Sequence, residues 1–262
     1  MSAPDWTTRV RPALNSRHFS VILAGFIIIT NGLALFLVDD VAAKTLFFSN
    51  VFVWWIGAHS VLGFVVSAAM AIHLWQWRME QLGVFFILFG VSLVNVFLAS
   101  YMSIATYSAA PIFVKIVLWM ALTAYLYYFS GKNFKAFSNA WHDVILKKHL
   151  LVEKDDHIIF LQLNEAKIRE KIGFKLHSNP KLIVIFIIAG LATFFVRAEL
   201  TAFFNVNWVP IAYAIMAIPL STLGVMMITL GWQYFLYSHL LKIQTKKIVF
   251  LDNISKSYNK VT

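Results

Sequence analysis

The chain has 262 residues, of which 60% are hydrophobic and 13% charged, and its mean hydropathy is +0.73; soluble domains run at about 45–50% and about 25%. It contains no cysteine, which excludes disulfides, thiolate metal sites, covalent haem attachment and cysteine-ligated iron–sulfur clusters. The formal net charge of +10 could suggest a nucleic-acid partner, but the placement of the charges argues against one.

Residues 1–18 are polar and lack the small-residue cleavage site of a signal peptide, so the first apolar run is expected to stay as an anchor. A bilayer core takes roughly 20 apolar residues per helix. Uncharged runs of that kind predict spans near 19–38, 48–75, 82–103, 112–130, 182–203 and 209–238. The expected fold is an all-α polytopic membrane protein of about six transmembrane helices. An even number of spans places both termini on one side. Nineteen of the 22 Lys and Arg residues then fall on that side, and the positive-inside rule makes it the cytoplasm of an inner-membrane protein. The basic excess reads as topology and as attraction to anionic headgroups.

In chain order, the first span carries Asn31 and the third Asn95, both near mid-bilayer, where amides join helices for about 1 kcal/mol each. The second span has Trp54 and Trp55 at one end and Trp75 and Trp77 at the other, a pattern of two interfacial belts. Lys115 lies one turn into the fourth span, and Arg197 and Glu199 lie near the outer end of the fifth. Ionisable groups at such depth are functional candidates. Residues two apart on a helix do not face each other, so Glu199 is expected to pair with Lys115 as a buried inter-helix ion pair. The sharper alternative is an anionic-substrate or quinone site. Pro210, Pro219, Gly224 and Gly231 make the sixth span the one expected to kink.

Four regions follow: residues 1–130 with four spans, a 131–181 loop domain, 182–240 with two spans, and a 241–262 tail. In the loop, Asn139 to Lys148 reads as an amphipathic helix. Leu150–Val152 and His157–Leu161 flank a polar turn and read as a β-hairpin. Asn164 is placed to cap a helix over 165–172, and Gly173 to end it. Lys247–Leu251 reads as a third strand, which a two-stranded hairpin needs in water. The expectation is a small cytoplasmic α+β cap whose thin core docks on a partner, or else amphipathic segments lying along the headgroups.

The second span also contains His59 and, fourteen residues on, His73. At about 100° and 1.5 Å per residue both imidazoles leave one helix face, about 21 Å apart. Imidazole ligates haem iron, and Gly63, one turn from His59, would admit a macrocycle edge. The alternative is that His59 hydrogen-bonds between helices and His73 sits at the interface.

This pattern of His59, Gly63 and His73 follows Arg17-His18-Phe19-Ser20, an apolar run, and Asn31-Gly32 with Phe36. Together, over residues 16–78, these features resemble the gamma subunit of formate dehydrogenase and hydrogenase b-type cytochromes. The resemblance implies haem b, with His18 and His59 as ligands. Spans three to five contain no histidine. One bis-histidine haem would therefore pair His73 with His18 or His239, and His59 would need another partner. No nucleotide-binding, hydrolytic or zinc-protease motif is present, so a non-catalytic membrane subunit is expected. It is either an electron-carrying b-type-cytochrome-like anchor with quinone as partner, or a haem-free scaffold or channel subunit of a secretion, conjugation or defence assembly. In the second case the protein oligomerises, or docks a cytoplasmic protein through 131–181 and the tail. A small transporter using Lys115, Arg197 and Glu199 is a third reading.

Overall fold

The computed structural model describes residues 16–42, 49–72, 78–142, 150–161 and 180–251. In chain order these form α1 (Ser16–Ala42), α2 (Val51–Ala71), α3 (Met79–Tyr107), α4 (Ile112–His142), β1 (Leu151–Glu153), β2 (His157–Phe160), α5 (Pro180–Ala192), α6 (Arg197–Phe204), α7 (Trp208–Thr245) and β3 (Ile248–Leu251). Five helices, α1 to α4 and α7, are long and apolar enough to cross a bilayer. Their outer surfaces are studded with exposed Val, Ile, Leu and Phe, the reverse of what water would tolerate over such an area.

The tightest seam joins the antiparallel α3 and α7 at glycine. A Cβ placed on Gly83 would lie 2.6 Å from the Gly231 carbonyl oxygen, and one on Gly90 would lie 2.7 Å from that of Gly224. Both helices space their glycines by seven residues, so one face of each meets the other over two turns. Without a hydrophobic effect between helices in lipid, this backbone approach and its dispersion contacts supply the association. Gly224 and Gly231 thus serve packing, and α7 runs unbroken from Trp208 to Thr245 with Pro219 inside it.

Two sequence expectations need correction. The fifth span expected over 182–203 is not one straight helix: α5 and α6 are together long and apolar enough for a sixth crossing, but α6 turns 84° away from α5. The last turn of α5 tightens into i→i+3 bonds, from Thr193, Phe194 and Phe195 N–H to Gly190, Leu191 and Ala192. The Thr193 hydroxyl donates to the Gly190 carbonyl as well, at 2.5 Å. Such local bonding competes with helix continuation, and α6 then buries none of its residues. The separate amphipathic helix from Asn139 is the second correction. Its first residues, through His142, continue α4, because Gly131 costs a helix only about 1 kcal/mol and no proline follows. Residues 143–149 and the helix expected over 165–172 lie outside the described residues.

The three strand-like runs are strands to within a residue. β2 pairs antiparallel with β1 and parallel with β3, so β2 is central. The hairpin closes through the Lys154 N–H on the His157 carbonyl, 2.9 Å, and Lys247 Nζ reaches Glu153 Oε1 at 2.8 Å. One face of this sheet is apolar, and its core is not thin. Leu150, Ile158, Phe160 and Val249 join Met79 and Leu82 of α3 with Tyr234, Tyr237 and Leu241 of α7 in one buried cluster. The chain's own helices complete the core that was expected to need a partner.

Candidate functional site

A buried polar cluster is built by α1, α2 and α3 at mid-length. The His59 ring Nε2 lies 3.1 Å from the Leu88 carbonyl oxygen. A carbonyl only accepts, so Nε2 carries the proton and Nδ1 is left as an acceptor. Asn31 Nδ2 donates to that Nδ1 at 3.1 Å and to Ser60 Oγ at 2.7 Å. Asn95 Nδ2 donates to Asn31 Oδ1 at 3.1 Å and approaches His59 Nδ1 at 3.4 Å. The Trp55 indole N–H donates to Asn95 Oδ1 at 2.9 Å, and the Ser60 hydroxyl donates to the Ile56 carbonyl. Every polar side-chain atom of His59, Asn31 and Asn95 therefore has a partner, as burial in a low dielectric requires.

This geometry bears directly on haem. Iron would need a ring nitrogen of His59, and both are engaged. The space beside Gly63 is filled by the Ile27 side chain, which a Cβ there would strike. The residues around His59 do not fit a haem, and its arrangement is the inter-helix hydrogen bond. α2 ends at Ala71, and His73 lies outside the described residues. His18 stands in the first turn of α1. His239 is exposed on the last turns of α7. Among the described residues no group of three or more His, Cys, Asp or Glu is placed to hold a metal.

The expected Lys115–Glu199 ion pair does not form. Lys115 Nζ donates to the Thr106 carbonyl, 3.1 Å, at the C-terminal end of α3, where cations complement the helix dipole. Arg197 stacks over the Phe194 ring at 4.6 Å, and both Arg197 and Glu199 are exposed. The α5–α6 bend carries the pair out of the bundle, so these three side chains make no common site. Sequence reading placed Asn31 and Asn95 as inter-helix amides, and they are. It missed Ser60, which a helical i+1 step from His59 conceals, and took Trp55 as a belt residue although its N–H serves Asn95. The heptad spacing of the glycines on two spans was the available signal for the α3–α7 seam.

Neither a protein-family model, a curated protein nor a solved structure matches the chain.

Proposed function

We propose that this chain is a multi-pass inner-membrane protein that acts as a haem-free, non-catalytic scaffold subunit of a larger complex. The observation that carries this reading is the closed polar cluster. The one buried histidine among those whose side chains are described uses both ring nitrogens to hold α1, α2 and α3 together. A cluster arranged in this way resists rearrangement, and His59, Asn31 and Asn95 keep no side-chain nitrogen or oxygen unpartnered within it.

The sheet end of the molecule is the cytoplasmic one in this proposal, together with both termini. Arg78, Lys132, Lys135, Lys242, Lys246 and Lys247 gather there, whereas Lys115 and Arg197 stand at the other end, the asymmetry expected of a cytoplasmic face. Since the inner face of the sheet is occupied by α3 and α7, its outer face and the basic segments around it are the surface offered to a cytoplasmic protein or to anionic headgroups. The test is a mild-detergent purification from haem-supplemented cells, followed by an optical spectrum and native mass spectrometry. A colourless protein in a stoichiometric assembly is the expected result. A Soret band at about one haem per chain would overturn the reading in favour of the electron-carrying anchor, and a solitary monomer would overturn the scaffold.

A further inference from the structure

We propose that the groove between the C-terminal end of α3 and one face of α4 holds an acyl chain of an anionic phospholipid, with the lipid phosphate on Lys115. The groove has a volume of about 710 Å³, within the roughly 300–1,000 Å³ of small-molecule sites. Small residues hollow it out: Ala105 and Thr106 on α3, Thr123 and Ala124 on α4. Ile116 and Met120 supply apolar wall, and Trp119 is steadied by stacking on Phe52 of α2 at 6.5 Å.

Among the described residues that line the groove, Lys115 carries the one charge. Its ammonium has three donors, of which the Thr106 carbonyl takes one. No carboxylate pairs with it among the described residues. The hydroxyls of Thr106 and Thr123 are already turned back onto the Met102 and Trp119 carbonyls, each at 2.8 Å. They therefore leave the floor apolar. A cation with one of its three donors engaged among the described residues, at the mouth of an apolar trough, calls for an anion with a hydrocarbon tail. Length agrees: from Lys115 to Tyr127 the helix rises about 18 Å, close to the ~15 Å of hydrocarbon in one leaflet. A head held at Lys115 thus lets one chain run the groove to the bilayer midplane. This inference rests on the bilayer placement of the helices and not on the scaffold role, so a Soret band would leave it standing.

The full-length protein, in nanodiscs of equal phosphatidylglycerol and phosphatidylethanolamine, is released into mild detergent and weighed intact. The expected result is one retained phosphatidylglycerol per chain. Lys115→Gln should lower its retention about tenfold through loss of charge-assisted hydrogen bonds, and Lys115→Arg should keep it. Ala124→Trp, on an exposed helix face, should fill the trough and expel the lipid with Lys115 intact. Equal retention in Lys115→Gln, equal phosphatidylethanolamine, or a lipid still bound in Ala124→Trp would each overturn the proposal. So would retention of a fatty acid or a quinone in place of the phospholipid.

Discussion

Substituting Gly90 by alanine tests the central seam. The added methyl would stand 2.7 Å from the Gly224 oxygen and 2.8 Å from the Ile228 nitrogen. Both are backbone atoms and cannot swing aside. Restoring an ordinary contact of about 3.5 Å requires α3 and α7 to part by roughly 0.8 Å, and a gap of that size forfeits about a quarter to a half of each facing contact. Overpacking of this kind costs about 1–3 kcal/mol, while alanine returns about 1 kcal/mol of helix propensity. Gly57→Ala isolates the second term, because a Cβ there meets nothing within 4 Å. The difference between the two variants is therefore the seam itself, about 1–3 kcal/mol. Reversible unfolding in mixed micelles, followed by tryptophan fluorescence, measures it. Gly224→Ala should behave like Gly90→Ala. If Gly90→Ala and Gly224→Ala are as stable as Gly57→Ala, the helices are not in backbone contact and the argument fails.

Asn31→Leu and Asn95→Leu should each destabilise the bundle, with a double-mutant coupling of about 0.6–1.7 kcal/mol in the same assay; a coupling of zero would mean that the two amides do not meet. Phe160 is fully buried and packs edge-on against Tyr234 at 5.6 Å. Phe160→Ala should cost about 3–5 kcal/mol and open the strands to protease while α1 to α3 stay protected. Unchanged cleavage would show that the sheet is not anchored there. The Asp156 carboxyl is held below its ordinary 3.8, chiefly by the hydrogen bond from His157 Nδ1 at 2.6 Å. Its folded value is depressed, so its contribution is present above the ordinary carboxylate range and lost as pH falls through that lower value. Carboxyl NMR should show the Asp156 midpoint rising toward 3.8 in His157→Ala, and an unmoved midpoint would remove the assigned cause.

Solvent preference and periodicity were readable from residues alone. The lengths of the apolar runs reported the hydrocarbon-scale helices, since a spanning helix satisfies its backbone internally and needs only enough apolar residues. The apolar runs on either side of the polar turn in 150–161, and the one at 247–251, reported strands for a similar local reason. Composition says nothing of direction, so 182–203 looked like one span until its last turn tightened at Thr193 and α6 bent away. That bend took Glu199 from Lys115. The chemistry of His59 was likewise undecided, because an imidazole on one helix is a ligand or a clamp according to what the neighbouring helices bring to its two nitrogens. Asn31, Asn95 and the Leu88 carbonyl arrive from α1 and α3, and Ile27 closes the space at Gly63. Contacts between segments far apart in the chain depend on helix rotation and depth, and those are determined only when the helices pack.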